Sequence, residues 1–454
     1  MRRVARFARA EDLTDMTHSS LPQAHRSCFV PQRQRGAAAL VVVMVLFFII
    51  SLVAAYTGRN LIFEQRTSTN LYRATQAFEA ADAGMQWALA QLNSGRVGGD
   101  CTPTADVVKT SFRDRYLNVD GTGGNIGVRF QAGGGGLWPS CVFNGADWQC
   151  DCPSDAAPTL VVPAGAGAFP AFRVRFVQFG FPAAAPSRPG LVRIEVNGCT
   201  QADNACLNFR PADSLQCRGT ICAQVALSSG LKSAPLAAIT ARGSVNVGGA
   251  AMSVVNSAPG TSGITIHSGL ATNRTSLVLQ GAPGTPSDNS VVDSELALAD
   301  PLFTPGRMFA ASFGVWRETY WQQPGAVTLT CLPDCSAAMV RAAISLNPGR
   351  AILVPGNLAL EGGGDVGSAT QPVVIVVTGN VTFTAPTNVY GLVYSEAATW
   401  ASAGTGLIQG AVVAQGNFGG SGSPTVVYDK TILDTLHWRT GSFVMVPGSW
   451  KDFP

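Results

Sequence analysis

Residues 37–58 have the sequence AAALVVVMVLFFIISLVAAYTG, which contains no charged side chain. A helix rises about 1.5 Å per residue, so this stretch covers roughly 33 Å, enough to cross the hydrocarbon core of a bilayer. Arg33 and Arg35 come just before it. Because positive charge favours the cytoplasmic side, we expect the chain after this stretch to be exported.

The apolar stretch does not fit a secretory signal peptide that is removed on its far side. Such a peptide has a shorter apolar region, followed by small residues at the cleavage site. Here the chain continues as RNLIFE at 59–64. An uncleaved signal anchor of a general kind stays open.

The same helix is predicted to continue well beyond the bilayer. No proline lies between Ala37 and Asn93, and the first one after that is Pro103. A continuous helix of about 57 residues would be on the order of 85 Å long. Its second half has an amphipathic pattern, and we predict that one face packs against the exported part. That face carries Leu71, Phe78, Met85, Leu89 and Leu92.

Two stretches of this helix resemble a known family. The run PQRQRGAAALVVVMVLFF at 31–48 places basic residues and a glycine before an apolar helix, as in the type III signal of prepilins. The segment NLYRATQAFEAADAG at 70–84 resembles the corresponding stretch of PilX-type minor pilins. The resemblance implies a leader at 1–36, a cut by prepilin peptidase after Gly36, and a mature chain that starts at N-methylated Ala37.

One position departs from the pattern of that family. Most pilins carry a glutamate five residues into the mature chain, where this sequence has Val41. In a fibre that glutamate neutralises the terminal amine of the subunit ahead, since an unpaired charge in an apolar core is costly. We therefore predict that Val41 marks a subunit at or near the fibre tip, where it helps prime assembly. Relaxed variation at this position is the alternative.

The composition indicates many short strands in the exported part. Charged residues make up 13% of the chain, about half the usual share, and there are 50 glycines and 27 prolines. We predict an α+β fold in which a transmembrane and amphipathic helix at 37–96 precedes two β-rich domains. The first, at 97–235, is a disulfide-rich antiparallel domain like a pilin head, and the second, at 236–454, is a Gly-rich domain like a β-solenoid.

Alternating apolar and polar residues locate strands in both domains. PAFRVRFVQFG at 170–180 and GLVRIEVNGC at 190–199 are predicted to form an antiparallel pair, with TICAQVAL at 220–227 as a third strand. In the second domain short β-rich runs follow Gly-Asn or Gly-Ser steps. These are GSVNV at 243, GNLAL at 356, GNVTF at 379 and GNFGG at 416, and they predict stacked parallel coils.

All cysteines except Cys28 follow the apolar stretch and are candidate disulfide cysteines. They are Cys101, Cys141, Cys150, Cys152, Cys199, Cys206, Cys217, Cys222, Cys331 and Cys335. An even number of cysteines on the exported side indicates disulfides, whose connectivity the sequence leaves open. Cys217 with Cys222 is one local candidate. Metal binding by Cys150 with Cys152, or by Cys331 with Cys335, is the alternative.

The sequence contains no recognised catalytic motif. It has no phosphate-binding loop, no Gly-x-Ser-x-Gly elbow and no His-Glu-x-x-His, so we predict neither an enzyme nor a cofactor or metal. His267 is predicted to be an ordinary strand residue. A calcium loop around Asn118–Gly121 lacks the carboxylates that would complete it. The net charge of +3, without a dense basic patch, gives no support to nucleic-acid binding.

The resemblance implies a single-pass inner-membrane protein that moves into a pilus fibre. Its partners would be other minor pilins, the major pilin, prepilin peptidase, the inner-membrane assembly platform, a large tip adhesin and the membrane itself. Two alternatives stay open: a pseudopilin of type II secretion, and a membrane-anchored β-solenoid that is either a binding protein or a sugar-active enzyme.

Overall fold

The computed structural model describes residues 35–157, 159–160, 162–165, 167–179, 188–209, 219–331, 334–420 and 424–452. Most of the predicted leader and Cys217 therefore lie outside the described residues. The α-helices are α1 Arg35–Leu92, α2 Phe112–Tyr116, α3 Asn204–Leu207, α4 Leu296–Ala299, α5 Pro305–Phe313, α6 Arg317–Trp321, α7 Ala337–Leu346 and α8 Lys430–Arg439. Two short 3-10 helices are Pro259–Thr261 and Ser287–Ser290.

The strands fall into an earlier and a later group along the chain. The earlier ones are β1 Leu117–Val119, β2 Ile126–Val128, β3 Ser140–Phe143, β4 Trp148–Asp151, β5 Ala171–Gln178, β6 Leu191–Cys199 and β7 Ile221–Ser229. The later ones are β8 Ile239–Ala241, β9 Val245–Val247, β10 Met252–Val255, β11 Ile266–Ser268, β12 Thr272–Asn273, β13 Leu277–Gln280, β14 Val291–Val292, β15 Ala326–Thr328, β16 Asp334–Ser336, β17 Ala351–Val354, β18 Asn357–Leu360, β19 Val373–Val377, β20 Val381–Phe383, β21 Asn388–Ser395, β22 Thr399–Ser402, β23 Leu407–Ala414, β24 Asn417–Gly420, β25 Thr425–Tyr428 and β26 Gly441–Met445.

The chain divides into two compact units, residues up to Thr69 and residues from Asn70 onward. In its described part, the first unit is the N-terminal segment of α1. The second unit contains the last turns of α1 and all of the strands. The long helix followed by a strand-rich region agrees with the predicted α+β class.

An antiparallel sheet in the order β26-β7-β6-β5-β3-β4 forms the head. The predicted pair is confirmed, because β5 and β6 run antiparallel with Ala171 opposite Cys199. The predicted third strand is also confirmed, since β7 pairs with β6. The outer strand β26 comes from the C-terminal end of the chain and pairs with β7. The head sheet is thus completed by residues far beyond 235, while the predicted domain boundary at that position stays a prediction.

The region after the head consists of parallel strands stacked in layers. The largest sheet has the order β13-β10-β25-β23-β21-β19-β17-β15, and two smaller sheets have the orders β12-β9-β24-β22 and β16-β18-β20. The order of layers differs from the order along the chain. The first layer, β8 to β10, pairs with the last one, β23 to β25. The second layer, β11 to β13, pairs with the other side of the first layer and lies at one end of the stack. The strand β15 lies at the opposite end.

The predicted Gly-Asn steps lie at turns between consecutive strands of one layer, and their asparagine side chains bond the next layer. The Asn357 Oδ1 accepts a hydrogen bond from the Asn380 backbone N–H at 2.9 Å. The Asn380 Oδ1 in turn accepts one from the Ala401 N–H at 3.0 Å. A Cβ on Gly379 would overlap the Asn357 side chain. Glycine therefore leaves the space that the neighbouring asparagine needs to bond the next layer.

Disulfides are present, as predicted. The pairs are Cys101–Cys152, Cys141–Cys150, Cys199–Cys206 and Cys331–Cys335, and Cys222 is also disulfide-bonded. Cys150 and Cys152 belong to two different disulfides, so they are not a metal-binding pair. Three of the four named pairs lie in the head, where Cys141–Cys150 joins β3 to β4 and Cys199–Cys206 joins β6 to α3.

Candidate assembly helix and its junction with the head

The N-terminal half of α1 exposes apolar side chains on all sides. Val41 is 58% exposed, and Phe47 and Phe63 are each 72% exposed. Among the described residues, α1 is the one helix that is long and apolar enough to cross a membrane. Apolar area of this size needs lipid or protein around it. This half of the helix is therefore suited to a bilayer or to the core of an assembly.

The predicted processing residues lie at the start of this helix. Gly36 and Ala37 directly follow Arg35 in the described part of this helix. Val41 follows one turn later, inside an apolar stretch whose next charged residue is Arg59. An amine at Ala37 would thus have no carboxylate on its own helix nearby.

The C-terminal part of α1 packs on the head sheet through a face that differs from the predicted one. Met85 and Leu92 are buried as expected, but Leu71 is 68% exposed and Phe78 is exposed as well. The buried face instead includes Ala81 and Ala88. The prediction was wrong for Leu71 and Phe78 because it weighed large side chains only, whereas small residues let the helix approach the sheet closely.

Two glycines mark the closest approach of helix and sheet. A Cβ on Gly84 of α1 would lie 2.7 Å from the Phe172 ring and 2.8 Å from a Val196 methyl group. A Cβ on Gly198 of β6 would overlap the Ala77 carbonyl oxygen of the helix. The AADAG segment at 80–84, part of the stretch that carried the family resemblance, thus belongs to the helix surface that contacts the head.

The end of α1 is held by residues from the C-terminal region. The Asn93 Nδ2 donates to the Phe443 carbonyl at 2.8 Å, and the Phe443 N–H donates to the Asn93 Oδ1 at 2.8 Å. The Arg350 guanidinium donates to the Asn93 carbonyl. The Arg96 Nε donates to the Ser345 carbonyl at 2.5 Å, at the end of α7. The helix therefore contacts both the closing strand of the head and the parallel layers. Sequence reasoning missed this junction, since nothing in the pattern around Asn93 distinguishes it from an ordinary helix end.

The residues considered for other chemistry have structural partners. The Asp120 carboxylate accepts bonds from the Thr122 and Gly123 N–H groups, each at 3.0 Å. The hydrogen bonds from Thr122 hold the pKa of Asp120 below its usual value. His437 contacts the Leu231 carbonyl through its Nδ1 at 2.8 Å, and His267 lies in β11. In the part of the chain that the structure describes, no three His, Cys, Asp or Glu side chains are grouped as metal ligands would be.

Among known proteins, one family model matches most of the sequence of α1. Residues 35–86 match the family model described as PilX N-terminal. The match covers the apolar half of α1 and most of its head-packing part, and it confirms the resemblance over these residues. No curated protein matches the chain. Among solved structures, the competence-associated pilin ComZ from Thermus thermophilus is similar at 12% identity and a TM-score of 0.18, over 84% of this chain and 97% of that chain.

Proposed function

Because residues 35–86 carry the N-terminal segment of PilX-type minor pilins, we propose that this protein is a minor pilin of the type IV pilus. It would be made as a prepilin, cut after Gly36 and N-methylated at Ala37. It would then wait in the inner membrane, with its head in the periplasm, before entering the fibre. The family match is the observation that carries this proposal, and it favours a structural role over a catalytic one.

The two halves of α1 support the proposal in physical terms. The exposed apolar half suits lipid before assembly and neighbouring helices afterwards, because both surroundings remove apolar area from water. The other half is fixed to the head by Met85, Ala88 and Leu92. A subunit of this kind can leave the membrane without unfolding its head.

The test of processing is the intact mass and N-terminal sequence of the membrane-extracted protein, with and without active prepilin peptidase. We expect a methylated chain starting at Ala37 only when the peptidase is active. Gly36→Leu should stay uncut because a side chain there obstructs cleavage. Gly58→Leu is the matched control, since a Cβ at Gly58 meets nothing within 4 Å. An uncut wild-type chain, or a cut beyond residue 58, would contradict the pilin proposal.

Deletion of the gene separates the pilus from related machines. Loss of surface fibres and twitching supports a type IV pilus, whereas loss of exoprotein release alone would indicate a type II secretion pseudopilin. Unchanged fibres and unchanged secretion would indicate an anchored binding protein or sugar-active enzyme.

We also propose that the subunit lies at or near the fibre tip and helps prime assembly. Without a carboxylate at position 41 it cannot neutralise the terminal amine of a subunit ahead of it. Val41→Glu should move the protein from the tip to positions along the fibre, as seen by immunogold labelling. Val45→Glu, one turn further along the same helix, is the control. If the Val41→Glu protein is labelled at the tip just as the wild-type protein is, the proposed tip position is contradicted.

The parallel layers after the head suggest the role of the exposed part. We propose that they form a β-solenoid that projects from the fibre, because their strands pair in parallel and asparagines at the turns bond the next layer. Its partners would be other minor pilins, the major pilin and a large tip adhesin. The assembly platform and prepilin peptidase would contact the helix.

A further inference from the structure

A small cavity between the head and the parallel layers is lined by three arginines. Arg113 comes from α2, Arg350 precedes β17, and Arg439 ends α8. The cavity has a volume of about 40 Å³, and Asp114, Asn347 and Thr370 are among its other lining residues. Its three cations thus come from two helices and a loop that lie far apart in the sequence.

The three guanidinium groups donate to backbone carbonyls, and Arg350 donates to the Asn347 Oδ1 at 3.2 Å as well, but none binds a described carboxylate. Arg113 is buried, and it donates to the Gly441 carbonyl at 3.2 Å and to the Gly349 carbonyl at 3.3 Å. Arg439 donates to the Thr370 carbonyl at 3.2 Å, and this hydrogen bond is exposed to solvent. Among the described residues none of the three forms an ion pair. Burial lowers the pKa of Arg113, and the nearby charges of Arg439 and Arg350 act in the same direction, whereas the Asp114 carboxylate acts in the opposite one.

The surrounding backbone leaves room for this arrangement. Gly349 has a φ of +75°, and a Cβ there would overlap the Arg113 guanidinium. A glycine is therefore required if Arg113 is to reach the cavity. Asp114 is a lining carboxylate, but its Oδ2 already accepts from the Ser111 hydroxyl at 2.6 Å.

The C-terminal ends of two helices offset part of this positive charge. The helices α7 and α8 both end beside the cavity, and each C-terminus carries roughly half a negative charge. Together with the Asp114 carboxylate, these ends offset about two of the three positive charges. About one positive charge is left over, and the Arg439 guanidinium has N–H groups that no described residue accepts from.

We propose that this cavity binds a small oxyanion group, a phosphate, sulfate or carboxylate, held by Arg350 and Arg439 with Arg113 behind them. A guanidinium presents paired N–H donors that match two oxygens of such a group. The bound anion would connect α2 of the head to α8 and the loop before β17, and would stabilise the contact between the head and the layers. This site does not depend on the pilin proposal.

The test uses the full chain in detergent and inorganic phosphate as the probe. Thermal unfolding and calorimetric titration are followed with sodium phosphate, sodium acetate and sodium chloride at equal ionic strength. We expect saturable binding and a higher melting temperature with an oxyanion but not with chloride. Arg439→Gln should weaken that binding on the order of tenfold, because one charge-assisted contact is lost. Arg307→Gln, an exposed arginine outside the cavity, should leave it unchanged.

The outcomes separate the sources of the anion and decide the proposal. A response to phosphate alone indicates a phosphate group, and a response to acetate as well indicates that carboxylates of another molecule can bind. The same response to chloride, or a response that survives Arg439→Gln, overturns the site. Should Arg439→Gln fail to fold, the wild-type titration decides, since absence of saturable binding there also overturns it.

Discussion

The glycine at position 198 decides how closely α1 lies on the head sheet. A Cβ there would overlap the Ala77 carbonyl oxygen and come within 2.5 Å of the Ala81 nitrogen, both in the helix backbone. A helix backbone cannot move aside as a flexible side chain can, so Gly198→Ala should destabilise the head by about 1–3 kcal/mol or more. Denaturant unfolding of the full chain in detergent measures this. Gly133→Ala, whose Cβ meets nothing within 4 Å, is the control, and equal stability of both variants would contradict the argument.

Glu396 predicts a pH dependence of stability. Burial raises the pKa of its carboxyl above the ordinary 4.5, although Arg317, at 2.8 Å, acts in the opposite direction. The folded protein therefore holds this proton more tightly than the unfolded chain. The resulting stability is present below pH 4.5 and is lost as the pH rises through the folded pKa. Glu396→Gln should remove that part of the pH dependence of the unfolding midpoint. The exposed Glu361→Gln should keep it, and a wild-type slope in both variants would refute the assignment.

At the level of secondary-structure elements, each asparagine at a turn connects two neighbouring layers. Asn380→Ala removes the bond from the Ala401 N–H, and it should lower the free energy of unfolding by about 1 kcal/mol. Thermal unfolding of the parallel region measures the change. Asn60→Ala replaces an exposed asparagine of α1 and should have almost no effect. If the two variants unfold alike, the turn asparagines do not stabilise the stack.

The elements that the sequence predicted are those with a local signal. Alternation along 170–180 and 190–199 is enough to predict β5 and β6, although in the structure both faces of the two strands are buried. The absence of proline predicts the length of α1. The buried face of α1 was missed in part, since Ala81, Gly84 and Ala88 carry little hydrophobic signal. In the structure Ala81 lies against Gly198 of the sheet, and Gly84 lies against Phe172 and Val196.

The order of the layers has no local signal at all. The runs at 243 and 416 share a Gly-polar step, but the sequence does not show that they are neighbours. In the structure the Ser244 N–H donates to the Asn417 Oδ1 at 2.9 Å, across 173 positions of the chain. Such a contact depends on the whole path of the chain through the stack. For the same reason the junction at Asn93 and the cavity lined by Arg113, Arg350 and Arg439 could not be predicted.

At the scale of the whole molecule, the C-terminal strand connects the parallel layers to the head. The chain leaves the head after β7, forms the layers, and returns through α8 to place β26 beside β7. Phe443 of β26 is buried in the head core, and its backbone bonds Asn93 at the end of α1. Both ends of the layered region are thus held at the head, since the Gly230 N–H donates to the Thr440 carbonyl at 2.7 Å.

A chain that ends at Arg439 should therefore lose stability in the head as well as in the layers. It lacks β26, so the edge of β7 is unpaired and the core loses Phe443, a loss of about 3–5 kcal/mol from that side chain alone. A chain that ends at Lys451 keeps all of these contacts and is the control. We expect the shorter chain to unfold at a lower temperature and to be cut by protease within the head, near β7. Equal melting and equal protease resistance of the two chains would show that the head is complete without β26, and that the return of the chain only positions the layers.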